Sequence, residues 1–543
     1  MSHVLTLTDG TTTVKLAEAN TNYTCKLIRY IPKTPALSKV VMTAVALQDG
    51  GEESRVTRRN VSEFAIVQIK AATNDYAREG VRDIEGLFLS AEHFQRAHKG
   101  DRVYVQLQPG GSGETYRSEV LSGKVEIDPR TLEELWQSKA IKVKVTWTRR
   151  FYWEGEELTL PLSNCNGDIQ VSGLIISNHD DSYTTDTLTF VAATRKITDS
   201  ANGLASFDTG DKLVVSGSAL NDGRFTITTG GVAGEIVVSE ALAPEAAGAT
   251  VTLNAHDNWV AVAAANITGV ISAPCEVRIK NQESSGRSYR AHIGLNAFST
   301  PGTFQHVLEG QDKAYANGGA GATAEITSSG GKYQPITVPT AEAQILRWDL
   351  TSAQLNAFAG GYFRMMARFH TLPNNDVYIR PKVTFPAGAP TTVVSECKLV
   401  HLNTTYYTQS LGVVQLPPWL IGTTDFYPCS LTFYGYADVE RTLNLDCIFL
   451  MPLDGHQVLE PKGYGFAEDV TLVSSGILGE IWTEGWDTGG KTGHYIAYGP
   501  HLHIHPGKDQ RFYFVVFGSA SASHVIDRRH QIIIKYRPRR LTL

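Results

Sequence analysis

The chain of 543 residues carries a formal net charge of -6; 42 % of its residues are hydrophobic and 19 % are charged. One hydrophobic core does not serve a chain of this length, so we expect about two to four domains. The charge balance excludes a general electrostatic attraction to nucleic acid, and no specific nucleic-acid partner is predicted. The low charge density indicates that much of the surface faces other subunits.

The cysteines and the apolar runs exclude further classes of protein. Six scattered cysteines without a CxxC pair signal neither a zinc site nor a disulfide framework, so we expect buried free thiols. The first residues alternate in polarity and contain no basic region followed by an apolar run, so no secretory signal is predicted. No apolar run approaches about 18 residues, and membrane insertion is not expected.

The first part of the chain, residues 1–167, is predicted to be a belt-like β domain with one helix. Apolar and polar residues alternate along several stretches, which is typical of strands with one buried face. A single helix is predicted around residues 84–97, where apolar residues recur at helical spacing and Gly100 follows as a stop. A long alternating strand at residues 142–164 closes the domain.

Residues 168–254 differ in composition, because Thr, Val, Gly, Ala and Ser dominate and aromatic residues become rare. About five short strands separated by turn signals predict a small inserted Ig-like β-sandwich module. Aromatic residues return in residues 255–543, where many strand candidates predict a large jelly-roll sandwich. The predicted fold class is therefore mainly all-β.

Three histidines, His501, His503 and His505, alternate in one run and form the only metal candidate. On a strand the three imidazoles would project from one face, with about 7 Å between successive ones. Two neighbouring imidazoles could therefore bind one metal ion, but the third would lie too far away to bind the same ion well. A solvent-facing or pore-facing strand explains them better. We therefore predict no metal and no cofactor.

A second candidate combines Trp482 and Trp486 with the carboxylates Glu480, Glu484 and Asp487. Such a set could cleave a glycoside, but the separation of a carboxylate pair cannot be read from sequence. Packing is the favoured role of the two tryptophans, followed by contact with a glycan or a partner. No GxSxG elbow, HExxH helix or cysteine nucleophile motif occurs, so the chain is not expected to be an enzyme.

Basic residues accumulate near the end of the chain. A solvated or subunit-facing strand edge is the favoured interpretation, and the alternative is a passage for DNA inside a ring. The residues are Arg528, Arg529, Lys535, Arg537, Arg539 and Arg540.

Several phrases resemble one family. With the helix near residues 84–97, VYVQLQP, YRSEVLSGKVEI and VTWTRRFYWEGEELTLPLSN resemble the N-terminal part of distal tail and related tail-tip proteins of long-tailed, siphovirus-like bacteriophages. LHIHPGKDQRFYFVV and IIIKYRPRRLTL resemble the last strands of these proteins. KITDSANGLASFDTGDKLVVSGSALNDGRFTITT is similar to small β domains appended to phage tail proteins, and its insertion here departs from a plain two-domain member.

This resemblance implies a galectin-like or carbohydrate-module-like C-terminal sandwich and a homo-oligomeric ring, commonly a hexamer, that connects the tail tube to the tip. Its partners would be other tail proteins, and its location the tail of the virion after assembly in the host cytoplasm. One alternative is a host-attachment adhesin or receptor-binding protein that binds surface glycans through Trp482 and Trp486. A third hypothesis is a glycan-cleaving tailspike or a metal-dependent jelly-roll enzyme.

Overall fold

In this computed structural model the described residues cover most of the chain. They are residues 4–44, 51–98, 100–110, 113–133, 139–163, 169–176, 182–207, 209, 212–255, 259–282, 287–298, 307–310, 313–319, 321–324, 332–350, 362–384, 393–416, 429–453, 455–461, 465–486, 490–493, 495–516 and 530–542. Strands far outnumber helices among them, which confirms the predicted all-β class. In the described part of the chain, no helix is both long enough and apolar enough to cross a membrane.

The first stretch of chain forms ten strands and the only long helix among the described residues. In chain order these elements are β1 (Val4–Thr8), β2 (Thr13–Lys15), β3 (Tyr23–Tyr30), β4 (Leu37–Ala44), β5 (Gly51–Arg58), β6 (Val61–Ala71), α1 (Asn74–Ala97), β7 (Tyr104–Gln108), β8 (Tyr116–Ile127), α2 (Pro129–Glu133), β9 (Ala140–Arg149) and β10 (Trp153–Glu154).

Helix α1 begins ten residues before the predicted start at residue 84. Its first turn is capped by the hydroxyl of Thr73, which accepts a hydrogen bond from the backbone N–H of Tyr76 at 3.2 Å. The helix ends at His98, whose left-handed backbone (φ 50°) lets its N–H bond to the carbonyl of Phe94. Buried residues recur every three or four positions, so one stripe of the helix faces the sheet.

The next stretch forms short connecting strands and then a run of seven strands. These are β11 (Leu158–Thr159), β12 (Leu162–Ser163), β13 (Ile169–Gln170), β14 (Leu174–Ile176), β15 (Ser182–Thr185), β16 (Leu188–Val191), β17 (Lys196–Asp199), β18 (Lys212–Ser216), β19 (Gly223–Val232), β20 (Glu235–Val238) and β21 (Val251–Asn254).

Among the described residues after β21, the regular elements are strands and one 3₁₀ turn at Ala264–Asn266. The strands are β22 (Trp259–Val262), β23 (Ala273–Asn281), β24 (Ala291–Phe298), β25 (Val307–Glu309), β26 (Tyr315–Ala316), β27 (Thr323–Ala324), β28 (Lys332–Val338), β29 (Ala343–Leu350), β30 (Tyr362–Phe369), β31 (Val377–Thr384), β32 (Val393–Glu396), β33 (Val400–His401), β34 (Thr408–Gln415), β35 (Cys429–Ala437), β36 (Arg441–Pro452), β37 (His456–Pro461), β38 (Thr471–Ser475), β39 (Glu480–Trp486), β40 (Gly490–Thr492), β41 (Tyr495–Tyr498), β42 (His503–Ile504), β43 (Asp509–Val516), β44 (His530–Tyr536) and β45 (Arg539–Arg540).

The chain divides into two compact units. The first unit comprises Met1–Leu158, Thr268–Ala273 and Arg537–Leu543. Its main sheet has the order β2-β1-β7-β8-β9-β6-β3, and β10 pairs with β8 and with β45. Helix α1 packs on this sheet, and the buried faces of both form one core. Gly123 of β8 leaves the space that the ring of Phe88 from α1 occupies.

The second unit, Thr159–Ile267 and Pro274–Tyr536, contains a domain that we call the inserted domain, strands β15–β21. Its seven strands follow the order β15-β21-β18-β19-β20-β17-β16. The long strand β19 pairs with β18 through its first half and with β20 through its second half. Buried residues from both halves of the sheet form one core of their own.

Two sandwiches form the rest of the second unit. The outer sandwich has an eight-stranded sheet, β11-β44-β23-β38-β39-β40 with β14 and β42, and a seven-stranded sheet, β13-β12-β22-β43-β24-β37-β41. The nested sandwich, β25–β36, has two six-stranded sheets, β27-β28-β36-β30-β34 with β25 and β26-β29-β35-β31-β32 with β33. The core between the two sheets of the nested sandwich also includes Tyr513 and Val515 of β43 in the outer sandwich.

The predicted third domain, residues 255–543, thus contains the nested sandwich, most of the outer sandwich and strand β45 of the first unit. The nested sandwich interrupts the outer one between β24 and β37, which are neighbours in the same sheet. An alternation of apolar and polar residues with a period of two predicts which face of a strand is buried. It does not predict which strand lies beside it in the sheet. The sequence therefore predicts the strands of this region without their division into two sandwiches.

The five described cysteines, Cys25, Cys275, Cys397, Cys429 and Cys447, are buried free thiols, as expected. Cys165 lies outside the described residues.

Candidate functional site

The sheet of the first unit ends in an edge strand, β3. A bridge between Ala19 and Thr24 covers the beginning of β3. From Lys26 onward no described strand pairs with its outer side. Ile28 and Ile31, at and just beyond the end of this edge, are 50 % and 62 % exposed. An open edge with exposed apolar side chains is a template for pairing with another chain.

The two strands that follow, β4 and β5, form a hairpin, which we call the hairpin arm. It pairs with no other strand of the described residues. Eight residues per strand correspond to a length of roughly 26 Å. A two-stranded hairpin by itself is marginally stable in water, so an arm of this length needs support from another surface.

A buried ion pair fixes the point where β3 leads into the arm. Glu63 accepts hydrogen bonds from Arg149 Nη2 at 2.7 Å, from the hydroxyl of Tyr30 at 2.9 Å and from the backbone N–H of Lys33 at 2.8 Å. Burial, followed by the charge of Glu63, raises the pKa of Tyr30. The guanidinium of Arg149 also lies 4.2 Å from the ring centroid of Trp153. This cluster gives the root of the arm a defined position.

The described arginines near the chain end are half-buried and make local contacts, and whether they face another subunit stays a prediction. Arg539 lies 3.8 Å from the ring centroid of Tyr152, and its Nη2 is 2.8 Å from Glu154. Arg540 donates to the hydroxyl of Tyr116 at 2.9 Å, and Arg537 donates to a backbone carbonyl at 3.1 Å. These arginines are half-buried because they hold the chain end on the first unit. Arg528 and Arg529 lie outside the described residues.

The three histidines of the metal candidate lie around the short strand β42. His503 is exposed, whereas His501 and His505 are half-buried. His503 Nδ1 lies 2.8 Å from the carbonyl oxygen of His501, and the backbone of His505 exchanges hydrogen bonds with Gln510. Within the described ranges, no three His, Cys, Asp or Glu side chains are arranged to hold a metal ion.

Trp482 lies inside β39, and only 5 % of it is exposed. Its indole Nε1 donates to Glu484 at 2.7 Å, and Lys491 Nζ lies 3.9 Å from the ring centroid. The ring therefore offers no open face to a sugar in this structure. The side chain of Trp486 lies outside the described residues, so a glycan contact at this pair stays a prediction.

The carboxylates near Trp482 are engaged by basic side chains. Glu484 forms an ion pair with Arg278, and Glu480 lies 3.8 Å from Lys491. Asp487 lies outside the described residues. The structure thus places Glu480, Trp482 and Glu484 on strand β39, where both carboxylates take part in local ion pairs.

Sequence reasoning missed the two exposed isoleucines, Ile28 in β3 and Ile31 just after it. Their signal was present in the run KLIRYI, where Ile28 breaks the alternation that Tyr23 and Cys25 begin. A break of this kind marks the place where a strand exposes an apolar side chain.

The fold and this edge define an all-β chain of several sandwiches with a surface suited to assembly. No family model and no curated protein matches the chain. Among solved structures, it is similar to the Dit protein of phage SPP1, described as a paradigm of the hub adsorption apparatus in phages that infect Gram-positive bacteria. The identity is 11 %, with 47 % of this chain and 99 % of that chain covered and a TM-score of 0.20.

It is also similar to a chain of the phage P2 baseplate in its activated conformation with Ca. Here the identity is 9 %, the match covers 81 % of this chain and 100 % of that chain, and the TM-score is 0.27. At these TM-scores neither likeness carries an inference about the present chain.

Proposed function

We propose that this chain is a structural virion protein of a phage tail tip, a distal tail or baseplate hub component. In this role it forms a homo-oligomeric ring, a hexamer by resemblance, that connects the tail tube to the host-recognition apparatus. The open edge of β3 is the observation that supports a ring. The resemblance of the sequence phrases indicates that this ring belongs to a phage tail tip.

The edge and the arm suit a ring physically. Rings use heterologous contacts, in which one surface of a subunit meets a different surface of the next. An edge strand and a hairpin arm are such surfaces, because backbone groups of one subunit can pair with those of its neighbour. The exposed side chains of Ile28 and Ile31 would be buried in that contact.

The proposal includes a division of labour between the units. The first unit would build the ring, and the outer sandwich, galectin-like by resemblance, would contact other tail proteins or the host. The inserted domain has a core of its own, so it can be carried without contributing to the ring. The core of the nested sandwich includes Tyr513 and Val515 of the outer sandwich, so these two sandwiches act together. We also propose that the chain is not an enzyme, which the ion pairs of Glu480 and Glu484 support.

The oligomeric state tests the ring. We expect the purified full chain to have a mass near six times its 59.3 kDa by multi-angle light scattering. The double variant Ile28→Lys and Ile31→Lys should dissociate to monomers, since it places charges in an apolar contact. The matched control is Leu89→Lys, at a residue of α1 that is 68 % exposed. A wild-type chain that stays monomeric, or a double variant with the same mass as the control, would contradict the proposed ring.

Location in the particle is a separate measurement. Antibody labelling of virions in the electron microscope should mark one position at the end of the tail. If the antibody does not label the particles, the proposed function is contradicted, even if the purified chain forms a ring. A polysaccharide depolymerisation assay with the purified chain should show no activity, and release of oligosaccharides would contradict the non-enzymatic role.

A further inference from the structure

The second unit contains a cavity of about 400 Å³ between the outer and the nested sandwich. Strands β24, β37 and β41 of the seven-stranded sheet line one side, and β30 and β34 of the nested sandwich line the other. The lining residues that can interact with a ligand are mainly His292, Arg364, Met366, Ser410, His456 and Tyr498. We call it the Arg364 cavity.

Two imidazoles form one wall. His292 and His456 are 5 % and 8 % exposed, and their rings stack at a centroid distance of 5.4 Å. His292 Nδ1 lies 3.1 Å from His456 Nε2, so one nitrogen donates and the other accepts. Burial lowers the pKa of both groups, that of His456 to about 4, and the charge of Arg364 contributes. The pair is therefore uncharged at neutral pH.

Arg364 differs from the arginines around it. Arg290 pairs with Glu460, and Arg368 pairs with the buried Asp446. Among the described residues no carboxylate forms an ion pair with Arg364, and its buried Nε has no hydrogen-bond partner. A partly buried guanidinium without an anion is costly, because its charge has lost water and gained no counter-charge. The wall of the cavity thus presents a positive charge without an acidic partner.

The mouth of the cavity is aromatic. Tyr498 of β41 lines it and is 57 % exposed. A half-open ring of this kind offers an apolar face beside a hydroxyl, the combination that packs against a pyranose ring. The hydroxyl of Ser410 from β34 lines the opposite side and supplies a donor.

We propose that the Arg364 cavity binds the oxyanion of an acidic saccharide, either a carboxylate or a phosphate. The planar guanidinium of Arg364 pairs with two oxygens, an imidazole N–H of the histidine pair and the Ser410 hydroxyl donate to the anion, and Tyr498 packs on the sugar ring. All of these residues belong to the second unit, so binding does not require ring formation by the first unit.

The histidines make the binding pH-dependent. The charged and titratable groups that face them are Arg364, Arg290 and Tyr498, with Glu460 engaged by Arg290. A bound anion offsets the repulsion from Arg364, so it favours protonation of the pair. For glucuronate, whose carboxylate stays ionised throughout this range, affinity should therefore rise as the pH falls from about 7 to about 5.5, with uptake of protons on binding.

Calorimetric titration of the full chain tests the proposal. The probes are glucuronate, glucose 6-phosphate, glucose and inorganic phosphate. We expect both acidic sugars to bind, glucose not to bind, and inorganic phosphate to bind more weakly because it cannot contact Tyr498. Arg364→Met should weaken binding of the acidic sugars at least about tenfold, the effect of losing a hydrogen-bonded charge. Arg364→Lys keeps the positive charge but lacks the paired N–H donors of a guanidinium. Its affinity for the acidic sugars should therefore lie between that of the wild type and that of Arg364→Met.

The matched control is Arg380→Met, because Arg380 also lies on a nested-sandwich strand but pairs with Glu342 and Glu396. It should bind the acidic sugars like the wild type, and thermal unfolding of each variant checks that it is folded. Failure of both acidic sugars to bind, equal binding of glucose, or full affinity in folded Arg364→Met would each overturn the site. Phosphate binding as tight as that of glucose 6-phosphate would overturn the saccharide part of the proposal.

Discussion

Arg149 and Glu63 form an ion pair of 2.7 Å in which neither side chain is exposed to solvent. Removing the carboxylate would leave the guanidinium buried without a counter-charge. We expect Glu63→Ala to reduce the stability of the first unit by about 3 to 5 kcal/mol. Hydrogen exchange measured by mass spectrometry should show faster exchange in β3, β6 and β9. Glu85→Ala, at an exposed residue of α1, is the control, and equal exchange in both variants would contradict the prediction.

Gly123 allows α1 to lie close to β8. A Cβ atom at this position would overlap the ring of Phe88, so Gly123→Ala should destabilise the first unit by about 1 to 3 kcal/mol. Gly86→Ala is the opposite case, because its Cβ meets nothing and alanine favours a helix by about 1 kcal/mol. Urea denaturation of the two variants should therefore shift in opposite directions. A shift in the same direction would show that Phe88 yields to the added methyl group.

The histidine pair predicts a loss of stability in acid. His456 has a pKa of about 4 in the folded chain and an ordinary pKa of 6.5, so the folded form resists protonation. Its contribution is complete above pH 6.5 and is lost as the pH falls toward about 4. The loss amounts to roughly 3 kcal/mol. Arg364, Arg290 and Tyr498 face the pair, and the first two are cations that oppose its protonation.

Thermal unfolding of the full chain between about pH 7.5 and pH 4.5 measures this effect. In the double variant His292→Gln and His456→Gln, the transition of the second unit should lose much of its dependence on pH. His503→Gln, at an exposed position, should keep the wild-type slope. Equal slopes in the double variant and the control would contradict the role of the buried pair.

The end of the chain stabilises the first unit through Arg539. Replacing Arg539 by alanine removes its contact with Tyr152 and two hydrogen bonds to Glu154. We expect a loss of about 1 to 3 kcal/mol, seen as faster hydrogen exchange in β10 and β8. Lys508→Ala, at an exposed residue of the second unit, should leave these amides protected. Unchanged exchange in Arg539→Ala would mean that the strand pairing alone retains the chain end.

Local patterns predicted the strands and the long helix, because alternation and helical spacing depend on neighbouring residues. The partners of those strands depend on distant residues, and they were not predicted. His292 and His456 lie 164 residues apart in sequence, with the whole nested sandwich between them. Arg364 looks in the sequence like an ordinary outward charge on an alternating strand, and only the pairing of sheets buries it without a carboxylate. The role of Arg539 was not predicted either, because its partner Glu154 precedes it by 385 residues.

The return of β45 to the first unit sets an order of events on the ribosome. Trp153 and Glu154 of β10 pair with Arg540 and Arg539, which are synthesised after the entire second unit. Domains generally fold as they emerge, so the inserted domain and both sandwiches have time to fold before β45 appears. Throughout that time the side of β10 that pairs with β45 has no partner strand, and Glu154 pairs with Arg117 but lacks Arg539. The first unit is therefore complete only after β45 has been synthesised.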